Sequence, residues 1–201
     1  MKIFDLTLPI NKKTPVFPSD PKYEIKQIAT IKKNGWNEIR LTFNSHFSTH
    51  IDAPFHMLEN GKRLDDFPLE IFAGEAVVIN ARGKKQTKPY LNGVKRNDIV
   101  FFFTGHIEKA YSPLFFKNNP VITKETAKKL IDKKVKIVGI DSFSPDNEPF
   151  EIHKMFFKHD ILIVENLVNL DKLNGRRFQC YILPLKIQGA DGAPCRVIGI
   201  L

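Results

Sequence analysis

Short apolar runs recur along most of the chain and predict a fold rich in β-strands. Residues 38–43 (EIRLTF) alternate apolar and polar side chains, as a half-buried strand does. Further runs rich in Val, Ile and Phe lack this alternation, which predicts strands that are covered on both faces. These runs span residues 76–81, 99–105, 136–141, 161–166, 181–187 and 196–201.

Helical periodicity occurs in fewer segments. Residues 123–134 (TKETAKKLIDKK) place Ala127 and Leu130 at helical spacing behind Thr123, which is a suitable N-cap. Residues 149–160 form a second predicted helix, and a short helix is predicted around residues 65–74. Strands mixed with helices predict an α/β fold, with a mixed β-sheet or barrel-like core flanked by helices, in a single domain over residues 1–201.

Composition narrows the class of protein. The two cysteines, Cys180 and Cys195, form no C-x-x-C pair, so a zinc ribbon or a thioredoxin-type site is excluded. Residues 1–10 do not form a signal peptide, because Asp5 interrupts the apolar run, and no stretch approaches the roughly 18 apolar residues of a membrane span. These features predict a cytoplasmic protein with no membrane partner and two reduced thiols.

The net charge of +9 raises the alternative of a nucleic-acid-binding module. Such a module needs clustered basic residues with aromatic stacking partners. Here the lysines occur in scattered pairs, such as Lys12–Lys13 and Lys32–Lys33, and arginines are few. The pattern favours a solvated lysine-rich surface and no nucleic-acid partner, while a basic binding module without catalysis stays as the alternative of another class.

Residues 44–57 (NSHFSTHIDAPFHM) contain three of the six histidines of the chain, His46, His50 and His56, together with Asp52. Imidazole and carboxylate groups are the usual ligands of zinc and similar ions. A straight strand would separate His46 from Asp52 by roughly 20 Å, at about 3.3 Å per residue. If these residues share a metal, the chain must therefore bend sharply after residues 38–43; the alternative is a polar loop of solvated histidines.

The segment HFSTHIDAPFHM resembles the H-x-G-T-H-x-D-x-P-x-H signature of the cyclase family, metal-dependent hydrolases that include bacterial kynurenine formamidase and isatin hydrolase. The resemblance covers nearly the whole chain. It extends to IFDLTLPI near the start, PVFPSDP at residues 15–21, GIDSFSPD at residues 139–146, VENLVNLDKL at residues 164–173 and PLKIQGADGAPCRVIGI at residues 184–200.

The resemblance implies a swivelling β/α/β-like fold and a role for each matching residue. It implies two zinc or manganese ions per subunit, with Asp52 bridging them and Glu165 contacting both. It also implies a homodimer or tetramer in which an N-terminal arm reaches a neighbouring pocket. The implied metal ligands are His46, His50, Asp52, His153 and Glu165, the implied catalytic acid and base is His56, and the implied substrate-binding residue is Phe17.

The implied activity is hydrolysis of a small amide or formamide by a metal-bound hydroxide, with N-formylkynurenine giving kynurenine and formate. A cyclase-family hydrolase of an isatin-like lactam or a lactone is the alternative. Two positions depart from the family pattern. Ser48 replaces a glycine and carries strain if its φ is positive. Phe17 replaces a pocket tryptophan, which keeps an aromatic face but removes the indole donor.

Several polar residues outside this set carry weaker expectations. His159 matches no motif and is interpreted as a helix-end histidine. His106 follows a predicted strand and either lines the pocket or is structural. Asp141 and Ser142 close a predicted strand and are expected to hydrogen-bond metal ligands. Cys180 is interpreted as a core thiol, and Asp191 and Gly192 as turn residues.

Overall fold

The computed structural model describes residues 1–83, 86–87 and 91–201. Within these ranges it contains twelve strands and three α-helices. The strands are β1 (Ile3–Asp5), β2 (Glu24–Ala29), β3 (Glu38–Thr42), β4 (His50–Asp52), β5 (Ala73–Asn80), β6 (Gln86–Thr87), β7 (Ile99–Phe103), β8 (Val121–Ile122), β9 (Ile137–Ile140), β10 (Leu162–Glu165), β11 (Arg177–Pro184) and β12 (Gly192–Ile200). The helices are α1 (Ile31–Asn34), α2 (Lys124–Asp132) and α3 (Glu151–Phe157).

Seven strands close into a mixed barrel. Their order is β12-β11-β5-β7-β9-β10-β4, and β4 pairs again with β12 to complete the ring, while β1 pairs with the far end of β12. The strands from β5 through β7 and β9 to β10 run parallel, and the other pairs in the ring are antiparallel. The predicted barrel-like core flanked by helices is confirmed, and the more specific swivelling β/α/β arrangement stays a prediction.

Strand β7 shows why the apolar runs lack alternation. Ile99, Phe101 and Phe103 join one core cluster, to which all seven barrel strands contribute side chains. Val100 and Phe102 join a second cluster, which also contains residues of α2 and α3. The strand is therefore buried on both faces, as its sequence predicts, and the helices cover the outside of the barrel.

The two main helices lie where the sequence predicts them. Helix α2 begins after Thr123, whose hydroxyl accepts a hydrogen bond from the backbone N–H of Thr126, so the predicted N-cap is confirmed. The short helix predicted at residues 65–74 is wrong in form. Two separate 3-10 turns, Leu64–Asp66 and Leu69–Phe72, stand in its place, because Pro68 cannot donate a helical hydrogen bond between them.

Strand β3 exists as predicted, but the expectation that it is half-buried is wrong. It pairs with β2 alone, outside the barrel, and all five of its residues are exposed. Apolar side chains of this two-stranded ribbon face outward, with exposed fractions of 59% for Ile39 and 52% for Leu41. Alternation alone cannot distinguish a strand half-buried in its own core from a ribbon that leaves an apolar face uncovered.

Strand β4 was not predicted, because it is three residues long and two of them are polar. It nevertheless closes the barrel by pairing with β10 on one side and β12 on the other. Among the described helices, none is both long and apolar enough to cross a membrane.

Candidate active site

The site is built on the outer face of the barrel where β4 meets β10. Glu165 lies directly opposite His50 in this antiparallel pair, and Asp52 lies two residues further along β4. Side chains two residues apart on a strand share a face, as do directly opposed residues. The intervening Ile51 points into the barrel core, so the polar residues point outward.

His46 reaches this face because the chain bends at Ser48. Ser48 has a φ of 59°, so the condition under which strain is expected at this position is met. Two hydrogen bonds hold Ser48 in this bend, one through its hydroxyl and one through its carbonyl. The hydroxyl of Ser48 donates to the carbonyl of Leu8 at 2.8 Å, and the side-chain amide of Asn166 donates to the Ser48 carbonyl at 2.8 Å. These hydrogen bonds offset the strain of a non-glycine residue in the left-handed region.

Gly192 on β12 provides the space into which His46 turns. Gly192 pairs with Asp52 across the strands. A Cβ atom at this position would lie 2.8 Å from Cε1 of His46 and 2.7 Å from the carbonyl oxygen of Ile51. Gly192 is therefore more than a turn residue, because only glycine leaves room for the imidazole beside Asp52.

Five of the predicted residues converge, and we call them the histidine–carboxylate cluster: His46, His50, Asp52, His153 and Glu165. Nδ1 of His46 lies 2.7 Å from Oδ1 of Asp52, and Nε2 of His50 lies 3.2 Å from the same oxygen. Nε2 of His153 lies 3.3 Å from Oε1 of Glu165. The chain therefore bends sharply after residues 38–43, as a shared metal site would require. His153 joins the cluster from helix α3.

Each histidine of the cluster has its other ring nitrogen fixed by an acceptor. His50 Nδ1 donates to the Ser48 carbonyl at 2.9 Å. His153 Nδ1 donates to Oδ1 of Asp146 at 2.6 Å, and His46 Nε2 donates to Oδ2 of Asp191 at 2.8 Å. This pattern is typical of metal-binding histidines, whose outer nitrogen is held by a carboxylate or carbonyl while the inner one faces the ion.

The donor atoms fit divalent ions that prefer mixed nitrogen and oxygen ligands. One atom from each of His46, His50 and Asp52 lies within 4.8 Å of the others, and the same holds for Asp52, His153 and Glu165. Asp52 belongs to both groups, so it can connect two ions. Two buried carboxylates and three imidazoles make a donor set suited to zinc or manganese.

The charges of the cluster depend on one another. Burial opposes the charged form of His46, but Asp52 and Asp191 outweigh it and raise the pKa of His46 to about 9. Burial also opposes ionisation of Asp52, yet His50 and His46 hold the pKa of its carboxyl well below the usual range. The cluster therefore keeps Asp52 ionised inside the protein by surrounding it with imidazoles.

His56 lies beside the cluster. It ends the 3-10 turn Pro54–His56, and its ring centre is 3.8 Å from that of His46. Its Nδ1 is 3.5 Å from Oδ2 of Asp191, and burial lowers its pKa. The geometry places an imidazole at the edge of the cavity with the cluster on one side and a carboxylate on the other.

Two carboxylates at this site were missed by the sequence interpretation. The sequence predicts only a turn position for Asp191 and no role for Asp146. Asp146 accepts hydrogen bonds from the backbone N–H groups of Ile152 and His153 as well as from the His153 ring, so it fixes both the start of α3 and the imidazole. A carboxylate seven residues before a predicted histidine ligand is a weak signal for Asp146, and nothing local in the sequence indicates Asp191.

The expectation that the side chains of Asp141 and Ser142 hydrogen-bond metal ligands is wrong. The carboxylate of Asp141 accepts hydrogen bonds from the backbone and hydroxyl of Thr104 and from the N–H of Gly105. The hydroxyl of Ser142 donates to the Ser144 carbonyl. Both side chains stabilise neighbouring loops, because strand β9 ends where the backbone of residues 104–105 needs acceptors.

The cluster forms part of the wall of a cavity of about 520 Å³. Five phenylalanines also line it. Four of them pack against one another and are here called the aromatic wall: Phe17, Phe115, Phe116 and Phe143. The ring centre of Phe17 is 5.9 Å from that of Phe116 and 6.1 Å from that of Phe143. A flat apolar group can therefore lie against these rings while its reactive atom faces the cluster.

His106 supports the aromatic wall from behind. It is buried, its Nε2–H donates to the carbonyl of Phe115 at 2.7 Å, and its ring stacks on that of Phe115. Among the described residues it does not line the cavity. Of the two roles left open by the sequence, the structural one fits.

The remaining candidates lie outside the site. His159 follows α3 and its Nδ1 donates to the Met155 carbonyl, consistent with a helix-end histidine. Cys180 and Cys195 are both free and buried, and burial raises the pKa of Cys180 to about 12. The prediction of two reduced thiols, with Cys180 in the core, agrees with this environment.

Comparisons with known proteins agree with this geometry. The family described as "Putative cyclase" matches residues 4–147. A kynurenine formamidase of Bacillus cytotoxicus is 31% identical, over 96% of this chain and 95% of that protein.

Solved structures extend the likeness to three dimensions. A structure described as a potential metal-dependent hydrolase with cyclase activity is 28% identical with a TM-score of 0.84, over 98% of this chain and 96% of that one. An isatin hydrolase bound to the product analogue thioisatinate has a TM-score of 0.91 at 19% identity, over 100% of this chain and 92% of its own. At that identity the second likeness concerns the fold alone.

Proposed function

Because this chain belongs to the cyclase family of metal-dependent hydrolases, we propose that it cleaves the C–N bond of a small aryl formamide, with N-formylkynurenine as the leading substrate. One observation carries the proposal. Three imidazoles, each oriented from behind by a carboxylate or carbonyl, converge on Asp52 and Glu165 beside an aromatic wall. Such a site can activate water and hold a flat substrate in the same cavity.

We assign the cluster to two divalent ions, zinc or manganese. His46, His50 and Asp52 would hold one ion. Asp52, His153 and Glu165 would hold the other. When bound, the ions supply Lewis acidity that polarises the carbonyl and makes the attacking water more acidic.

The residues of the chain then perform the remaining steps. The aromatic wall packs against the aryl ring and excludes water from one side of the formamide. Water attacks the formyl carbon, and His56 accepts a proton from the water. As the C–N bond breaks, His56 passes that proton to the leaving nitrogen, so that formate and the arylamine are released. Asp191, near His56 Nδ1, holds the ring in position for both transfers.

The experiment is a substrate panel on metal-depleted protein reloaded with zinc or manganese. N-formylkynurenine should be hydrolysed only after reloading. Opening of isatin-like lactams or lactones without formamide cleavage would assign the chain to the alternative carbonyl substrate and leave the proposed chemistry intact. Salt-dependent binding of nucleic acid by a protein that holds no metal would instead support the non-catalytic basic module.

We also propose that the chain assembles as a homodimer or tetramer through the β2–β3 ribbon. Ile39 and Leu41 on β3 and Trp36 in the connection before it expose more than half of their surface, which is unusual for a group of large apolar side chains. Light scattering should give a mass at least twice that of one chain, and Ile39→Lys should shift it toward the monomer. A monomeric parent protein would contradict the assembly without affecting the hydrolase proposal.

A further inference from the structure

The cavity differs in charge from the rest of the molecule. The chain has 31 lysines and arginines and a net charge of +9. Yet among the described residues that line the cavity there is no lysine or arginine, and three carboxylates are present. Asp52 and Glu165 belong to the histidine–carboxylate cluster. The third, Asp20, belongs to no group described so far.

Asp20 lines the cavity and is linked to Phe17 of the aromatic wall. Its backbone N–H donates to the carbonyl of Phe17 at 2.9 Å, in a turn that holds the two residues together. The ring of Phe17 in turn packs against Phe116 and Phe143. The structure provides no lysine, arginine or histidine partner for the Asp20 carboxylate within the described part of the chain.

We propose that Asp20 determines specificity by binding an ammonium group on the substrate. This proposal rests on the proposed hydrolase function. The cavity would therefore take aryl formamides or related aryl amides that carry a cationic side chain. An ammonium near Asp20 gains from the carboxylate and from the faces of the neighbouring phenylalanine rings. A substrate whose only charge is a carboxylate meets no lysine or arginine in the described lining, and the negative charge of Asp20 disfavours it.

N-formylkynurenine carries both an ammonium and a carboxylate. If Asp20 provides the recognition, the enzyme binds the substrate through its ammonium group, and the substrate carboxylate is not needed for binding. The same aryl formamide without its carboxylate should then be processed at least as well as the zwitterion.

The test uses four ortho-acyl formanilides with acyl chains of similar length and different charge. They are N-formylkynuramine (ammonium), N-formylkynurenine (zwitterion), 1-(2-formamidophenyl)butan-1-one (neutral) and 4-(2-formamidophenyl)-4-oxobutanoate (carboxylate). For metal-loaded enzyme, kcat/KM should be highest for the ammonium compound, about tenfold lower for the neutral one, and lowest for the carboxylate. Equal values across the series, or a preference for the carboxylate, would overturn the proposal.

Asp20→Asn should reduce the ratio of kcat/KM between the ammonium and neutral substrates about tenfold, mainly through KM. Glu59→Gln is the matched control, because Glu59 is exposed and close to the cavity in sequence but does not line it. This control should leave the ratio unchanged. An equal loss on all four substrates in Asp20→Asn would show a structural role and refute the specificity role.

A binding measurement separates this inference from the hydrolase proposal. Calorimetry on metal-loaded protein compares kynuramine with 4-(2-aminophenyl)-4-oxobutanoate, neither of which requires turnover. Tighter binding of kynuramine, lost in Asp20→Asn, would support the role of Asp20 even if none of the formanilides were hydrolysed. Equal binding of the two amines, or a preference unaffected by Asp20→Asn, would refute it even if the formanilides were cleaved.

Discussion

The histidine–carboxylate cluster and the aromatic wall face the same cavity but are held in different ways. In the cluster, each imidazole is fixed by a hydrogen bond on its outer ring nitrogen, and the side chains of His50, Asp52 and His153 are less than 5% exposed. The aromatic wall is held by ring packing and ranges from 1% exposure at Phe115 to 44% at Phe17. Hydrogen bonds to ionised groups depend on the exact position of each side chain, so substitutions in the cluster disturb it strongly. Packed aromatic rings tolerate exchange for other apolar side chains of similar size. In the function proposed above, the cluster would set the chemistry and the aromatic wall would select the substrate.

The largest effect is expected from Asp52→Asn. The variant removes the carboxylate charge that both ligand groups share, so the bound metal should fall below one ion per chain and kcat/KM should drop by at least about 10³-fold. Elemental analysis and kinetics measure the two effects. Asp171→Asn, at an exposed position, is the matched control. Unchanged metal content in Asp52→Asn would remove Asp52 from the proposed ligands.

His56→Ala should separate chemistry from metal binding. Because His56 is assigned to proton transfer, kcat should fall about 10²- to 10⁴-fold while the metal content stays that of the parent protein. Single-turnover kinetics and elemental analysis on the same preparation test this. Loss of metal equal to that of Asp52→Asn would show that His56 is a ligand.

Asp191→Asn tests the outer support of the cluster. Asparagine can still accept the hydrogen bond from His46 Nε2, but it lacks the charge that makes the imidazole a better donor to a metal. The affinity for one of the two ions should fall about 10- to 100-fold, as measured by competition with a chromophoric chelator. If Asp191→Asn and Asp191→Ala both bind metal like the parent protein, Asp191 does not support the cluster.

The smallest effect is expected in the aromatic wall. Phe116→Ala should raise KM about three- to tenfold and change kcat by less than about twofold, because ring packing contributes to substrate binding and not to bond cleavage. Tyr111→Ala, at an exposed aromatic residue of the same segment that does not line the cavity, is the control. A larger fall in kcat than in His56→Ala would remove the distinction between wall and cluster.

Much of the barrel could be predicted from the sequence, and the reason is physical. Strands such as β7 are buried on both faces, so their composition alone indicates them. Strand β4 could not be predicted, because two of its three residues are polar residues of the site and no apolar run marks it. Its pairing with β12, which closes the ring, depends on residues far apart in sequence. The exposure of β3 was also beyond prediction, since periodicity shows that one face is apolar but not what covers it.

The site divides in the same way. Residues close in sequence, such as His46, His50 and Asp52, have a spacing that indicates metal binding, and the resemblance added His153 and Glu165. Asp191 reaches His46 across 145 positions of sequence, a contact that only the pairing of β12 with β4 creates. The family pattern marks Ser48 as a position of possible strain, and its φ of 59° shows that the backbone there is left-handed.

Anomalous diffraction from crystals grown with zinc tests the central claim most directly. The proposal predicts two peaks within the cluster. One should lie about 2.0–2.2 Å from ligand atoms of His46, His50 and Asp52, and the other at that distance from Asp52, His153 and Glu165. An anomalous map with no peak at these side chains, from crystals in which the protein hydrolyses the substrate, would contradict the metal-dependent account of this site.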